Sequence, residues 1–217
     1  TKSIEFSYSG KPVTLKMNNV TLSSTGEAAL VVSGGTLIIE NNAALEGMNG
    51  DAGNPSTPAV KVTDGVLTFN GTVNATGGSG DSSAASAIEV TGGKVIFEGA
   101  VTATGGLLGQ DKNSKTCQPA IKATGTGELD FQGTKDSQVD LTLYGGLTVT
   151  GDATLTHGLT GGSFYSKPDG ASSTTGYAVS AVGSNVYKNE TLGNVNKLLA
   201  DKHVFVKISP EGENDKY

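Results

Sequence analysis

The sequence predicts an all-β chain folded as a single-stranded right-handed parallel β-helix. This is a solenoid of about six coils of three short strands, closed by a short C-terminal helix/strand cap. Three observations carry the prediction. A motif of apolar-x-apolar, small turn, apolar-x-apolar, turn and apolar pair recurs at intervals of about 30 residues. Glycine is abundant, at 32 of 217 residues, and its pairs fall in the turns between the apolar triplets. Hydrophobic residues make up 35% and aromatics 6%, low for a globular enzyme, yet strict alternation along each segment excludes disorder.

The clearest copy runs from Ala87 to Gly106 and a second from Ala59 to Gly78. A third begins Ala29-Leu-Val-Val-Ser-Gly-Gly and a fourth Ala120-Ile-Lys-Ala-Thr-Gly. Weaker copies start at Asp140 and Ala178, and Val13 to Leu22 reads as a partial first coil. Period-two alternation marks each piece as a strand with one buried face. Alignment predicts inward columns. On the first strand they are Leu30, Val60, Ile88, Ile121, Leu141 and Val179, beside Val32, Val62, Val90, Ala123, Leu143 and Ala181. On the second they are Met17, Ile39, Phe69, Phe97 and Phe131, beside Leu15, Leu37, Leu67, Val95 and Leu129. On the third they are Val20, Ala43, Val73, Val101 and Ala153, beside Leu22, Leu45, Ala75, Ala103 and Leu155.

Outward positions fit the same alignment. Lys61, Glu89 and Lys122 fall at one place in successive coils, which sets opposite charges about 4.8 Å apart on solvated surface. Glu40, Asn70, Glu98 and Gln132 make a second polar column. Gly-Gly at 34–35, 92–93 and 145–146, or Asp64-Gly65, joins the first two strands, and Gly71, Gly99 and Gly133 occupy the second corner. One domain is expected over 1–217: an N-terminal cap at 1–12 begun by Ile4 to Tyr8, coils over 13–188, and a C-terminal cap and tail over 189–217. In that cap, Leu192 to Ala200 has helical spacing and His203 to Ser209 reads as a strand.

Charge narrows the function. Net charge is −6, the pI is about 4.9, and lysine supplies every basic side chain because arginine is absent. That speaks against nucleic acid as a partner. Cys117 is the single cysteine, so there is no disulfide framework, and it reads as an inert or loop thiol. No apolar run is long enough to span a membrane. The chain starts at Thr1 without methionine or a signal peptide, as a mature or trimmed fragment would.

Units such as Val13-Thr-Leu-Lys-Met-Asn-Asn-Val-Thr-Leu22 followed by Ala29-Leu-Val-Val, and the stretch Gly92 to Gly106, carry a resemblance. They resemble the secreted bacterial β-helix proteins described as carbohydrate-binding domains, over roughly residues 10–190. The resemblance implies a secreted or cell-surface, extracellular protein that binds polysaccharide, in some members acidic polysaccharide with calcium. It implies no catalytic residues.

The variable loops after the third strand each carry an aspartate: Asp51, Asp81, Asp111 and Asp169. Stacking of the coils places these loops on one flank, where carboxylates and carbonyl oxygens together suit Ca²⁺, a hard cation. The competing reading is that Asp and Gly simply make turns. Phe164 and Tyr165 lie in the longest loop, Gly161 to Gly176, and Tyr144 and Tyr187 fall at outward positions. All four are candidates for stacking on sugar rings, against packing on the solenoid wall.

Parallel β-helices also host polysaccharide lyases and hydrolases. Lyases resembling that class use an arginine base, which this chain lacks, and the β-helical glycosidases carry an Asp-Asp pair, which does not occur here. His157 and His203 have no nucleophile motif beside them. The sequence therefore favours a non-catalytic module that binds polysaccharide, with or without Ca²⁺. The alternatives are a structural spacer or adhesin segment, and after that a lyase or hydrolase.

Overall fold

The computed structural model describes residues 3–109, 115–132 and 141–155, and the backbone of 163–165, 173–174 and 179–182. Every regular element among them is a β-strand. No helix among the described residues is long and apolar enough to cross a membrane. Strand β1 (Ile4–Lys16) bends midway and supplies the first and second faces of the first coil, and β2 (Val20–Ser23) supplies its third. Strands β3 (Leu30–Glu40) and β4 (Ala43–Glu46) repeat this one level on. Each coil stacks in parallel on the last: Ile4 pairs with Leu30, Leu30 with Val60, Val60 with Ile88 and Ile88 with Ile121. The first and second faces merge into a 10-stranded sheet and the third faces form a 6-stranded one. The result is a parallel β-helix of about five turns.

Alternation puts one apolar column against the next, and the interior is dry. Leu30, Val60, Ile88, Ile121 and Leu147 are fully buried, as are Val73, Val101, Leu129 and Leu143. Burying one such side chain contributes about 1.5–3 kcal/mol, so the repeated column supplies the main cohesion between coils. Phe69, Phe97 and Phe131 stack as predicted. Their ring centroids are 5.7 and 5.1 Å apart and the planes lie within 17° and 11°. The expected charge column is in register, Lys61 beside Glu89 and Glu89 beside Lys122, with Lys122 Nζ 3.4 Å from Glu89 Oε1; a separate pair sets Lys16 Nζ 3.3 Å from Glu40 Oε2. These pairs face water and contribute little energy.

Turn chemistry explains why the chain bends where it does. Gly35, Gly65 and Gly93 follow one another at the first corner with φ of 76°, 78° and 68°, a region closed to most side chains. At the second corner Asn19 and Asn41 take the left-handed conformation, and Asn41 Nδ2 donates to Asn18 Oδ1 at 2.9 Å.

Four expectations need correction. Leu15, not Met17, pairs with Ile39, and Val13, not Leu15, pairs with Leu37. A slip of two residues keeps every side chain on the same face, so alternation alone cannot detect it. Met17 is still buried, but beyond the end of the strand. Second, Leu141 and Leu143 belong to the third face, paired with Val101 and Ala103, while Leu147 and Val149 continue the first-face columns. Third, Gly145-Gly146 accordingly joins a third strand to a first one, and Leu155 pairs with Leu129 on the second face. First-face and third-face triplets share the same spacing, so the longer connection after Phe131 went unread. Fourth, Ile4 to Tyr8 is no cap: it is the first face of the first coil. The expected C-terminal cap lies outside the described residues.

Phe97 is fully buried at the centre of the phenylalanine stack. Phe97→Ala should cost about 3–5 kcal/mol in a urea unfolding series, and Phe97→Leu clearly less. Equal losses would mean that volume at this level is unimportant to the column.

Candidate functional site

Three hairpins leave the solenoid after the third-face strands, described at residues 47–58, 77–86, and 105–109 with 115–119. The ladder of the third face runs on into them. Gly47 N donates to Thr76 O at 2.8 Å, Gly77 N to Thr104 O at 2.9 Å and Gly105 N to Tyr144 O at 2.9 Å. Their limbs are then cross-linked by one run of backbone hydrogen bonds: Thr57 N to Met48 O, Gly78 N to Thr57 O, Ala85 N to Gly78 O, Gly106 N to Ala85 O and Gln118 N to Gly106 O. Side chains add to it. Ser56 N donates to Ser83 Oγ and Ser56 Oγ to Ser83 O, both at 2.7 Å, and Ser79 N donates to Asn49 Oδ1 at 2.8 Å. Glycine is required at 77 and 105 because the carbonyls of Ala85 and Gln118 pass through the space a Cβ would fill. Thr116–Cys117 also pairs in parallel with Ser173–Thr174. The described hairpins therefore do share one flank, as expected, and backbone bonding stacks them.

The two described acidic candidates of this flank, Asp51 and Asp81, are held differently. Asp51 Oδ1 accepts from Gly53 N at 2.8 Å, Asn54 N at 2.9 Å and Asn54 Nδ2 at 3.1 Å. Those donors, the Gly53 amide first, hold the carboxyl below its ordinary range. Asp51 is thus committed to its own turn. Asp81 is exposed, one residue past Gly80, which stacks against Gly50. Asp111 and Asp169 lie outside the described residues. Among the described residues no three His, Cys, Asp or Glu side chains are grouped to hold a metal ion.

The aromatic candidates separate. Tyr144 ends the third-face strand Leu141–Tyr144 and is half-buried, alternating with the buried Leu143. Ser163–Tyr165 was expected in a loop but is the next third-face strand, with Thr142, Leu143 and Tyr144 paired to Ser163, Phe164 and Tyr165. Tyr165 therefore follows Tyr144 in backbone register, after Ser23, Glu46, Thr76 and Thr104. Phe164 takes the register of Leu143, in the column that is buried at Leu45, Ala75 and Ala103, and so does not share the position of Tyr165. Tyr187 lies outside the described residues. The outer face beside the two tyrosines is polar, with Asn74, Thr102 and Thr142 in the adjacent column. Its members run directly into the hairpin flank at Gly77 and Gly105.

Sequence reasoning missed one ionic cluster, built around a buried aspartate. Lys94 Nζ lies 3.1 Å from Glu128 Oε1 and 2.7 Å from Asp130 Oδ2, and Gln132 Nε2 donates to Asp130 Oδ2 at 2.8 Å. Asp130 is 0% exposed although it pairs with Ile96 at an outward position. Burial lowers the affinity of Lys94 for its proton, but the bonds and charges of Asp130 and Glu128 outweigh that and raise it. The pairing of Lys94 with Glu128 was readable by aligning the copies, but burial of the cluster was not. Cys117 is also buried, with Sγ 3.2 Å from Gln118 O, and burial pushes its thiol up to about 12.

Comparison with family models, curated proteins and solved structures finds no match to this chain.

Two alkaline-side predictions follow from Lys94 and Cys117. Both hold their protons to higher pH in the folded chain than in the unfolded one. Their contribution is therefore complete below the unfolded values and is lost as pH rises through the folded ones. Melting temperature should fall from about pH 8.5, the ordinary cysteine value, toward pH 12, and Cys117→Ala should flatten the early part of that fall. A native thiol that reacts at neutral pH with a thiol reagent would contradict this burial. Separately, Lys94→Met should cost about 3 kcal/mol because it removes the cation from the buried Asp130; a neutral result in a urea series would show that Asp130 does not depend on it.

Proposed function

We propose that this chain is a non-catalytic, polysaccharide-binding module of an extracellular or cell-surface protein. It would bind along the third face where that face meets the hairpin flank. The observation that carries this is the backbone register of Tyr144 with Tyr165, on adjacent strands about 4.8 Å apart. Successive aromatic faces suit stacking on pyranose rings, and the threonine and asparagine hydroxyls and amides beside them suit hydrogen bonding to sugar hydroxyls. A flat, solvent-facing sheet accepts a chain polymer without the deep pocket that a small ligand requires. The absence of catalysis rests on the acids that lie together. Glu128 and Asp130 are both tied to Lys94, and Asp130 is out of reach of solvent, so the pair cannot serve as a general acid and base on a polymer. Calcium enters this reading only as a bridge assembled on Asp81 and carbonyl oxygens once an acidic polysaccharide supplies further ligands.

Retention on a panel of neutral and acidic polysaccharides in affinity gels tests the reading. Tyr144→Ala and Tyr165→Ala should each weaken retention by about tenfold while leaving the melting temperature close to wild type. Repeating the panel with a chelator isolates any calcium-dependent part. No retention on any polysaccharide, with and without calcium, would overturn the proposal in favour of a structural spacer. Release of new reducing or unsaturated ends would overturn its non-catalytic half.

A further inference from the structure

The sequence carries two Asn-Gly steps, Asn49-Gly50 and Asn70-Gly71. In such a step the backbone amide can attack the asparagine side chain with least hindrance, because glycine sets no side chain beside its nitrogen. Both asparagines are exposed, so access to water does not separate them. Hydrogen bonding does. Gly50 N donates twice, to Ser79 O at 2.8 Å and to Ser56 Oγ at 2.9 Å, and Asn49 Oδ1 accepts from Ser79 N at 2.8 Å. Both reacting groups of that step are thus held within the hairpin layer. The second corner differs. Asn70 N donates to Ile39 O at 2.9 Å, which anchors the backbone. Among the described residues, however, no group holds the Asn70 side-chain amide or accepts from Gly71 N.

We propose that Asn70 is a site of spontaneous deamidation, with water as the reactant, and that the hairpin layer protects Asn49. Hydroxide removes the Gly71 amide proton, and the nitrogen attacks Asn70 Cγ. That N–C bond forms as the bond from Cγ to the side-chain nitrogen breaks, and ammonia leaves with a proton taken from water. Water then opens the cyclic imide at one of its two carbonyls, giving either an aspartyl or an isoaspartyl linkage at 70. Asn70 follows Phe69 as Glu40 follows Ile39 and Glu98 follows Phe97. A carboxylate at 70 therefore stands between two glutamate positions, each about 4.8 Å away. Glu40 keeps its ion pair with Lys16, so the added repulsion falls mainly on Glu98. The isoaspartyl form adds a carbon to the main chain where space is shortest. A Cβ at Gly71 would run into Asn41 O, and one at Gly99 into Gly71 O. Both products loosen the stacking of adjacent coils at this corner.

Peptide mapping by mass spectrometry on the whole folded chain, aged at mildly alkaline pH, tests this. Aspartyl and isoaspartyl forms should accumulate at 70 at least about tenfold faster than at 49, where two hydrogen bonds to Gly50 N must break first. The same ageing in concentrated guanidinium chloride should bring the two rates together. Ion exchange should separate a species one charge more negative than the −6 of the starting chain, modified at 70 and with a lower melting temperature. Asn70→Gln should remove that species. Ser56→Ala, which takes one acceptor from Gly50 N, should speed the reaction at 49 and leave 70 unchanged. Equal rates at 49 and 70 in the folded chain overturn the proposal. So does an Asn70 that stays intact in the folded chain while the denatured chain reacts there.

Discussion

Parallel stacking at the strand spacing governs this molecule. Each coil must bring three strands into hydrogen-bonding distance of the coil beneath, so any residue is constrained chiefly by its counterpart about 30 positions away. Inside, that favours columns of similar volume, such as Ile39, Phe69, Phe97 and Phe131. At the corners it excludes side chains, because Gly65 and Gly93 lie directly against the backbone of the preceding turn. Outside, it turns single residues into stripes, and a stripe is the natural shape for contact with another extended polymer.

The same constraint shapes the flank. A hairpin that leaves one level meets the hairpin of the next, and the zigzag of backbone bonds from Met48 to Gln118 makes them a stacked layer instead of separate loops. Serine and asparagine side chains finish the layer by serving neighbouring amides, as Ser83 does for Ser56 and Asn49 for Ser79. Residues chosen for turn chemistry are therefore satisfied within the protein. That is why Asp51, which looks like a ligand in the sequence, is consumed by Gly53 and Asn54. The surface proposed for glycan is likewise a product of coil stacking, a stripe of positions along the wall.

How much of this could be read in advance follows from what alternation contains. Period two decides which side chains are inward, and the inward sets at Leu30, Val60, Ile88 and Ile121 were legible for that reason. It fixes register only modulo two, so a slip of two residues is invisible to it, and Leu15 stands where Met17 is expected. It also does not separate a first-face triplet from a third-face one, so Leu141 and Leu143 were given to the wrong face. The site suffered from the same limit. Tyr144 was recognised as outward, but its neighbour Tyr165 could be found only once the strand Ser163–Tyr165 had a partner. The burial of Asp130 depends on what lies over the wall, which no local pattern records.

The sequence by itself determined the parallel solenoid, the identity of most core columns and the places where glycine must turn the chain, because each of these is a local rule repeated at a regular interval. Only the tertiary structure decided which coil meets which, that Tyr144 and Tyr165 share a register, and that Asp51 is taken up by its own turn. Those depend on connection lengths and on contacts between levels, and hydrogen bonding across the stack resolves them where side-chain periodicity cannot.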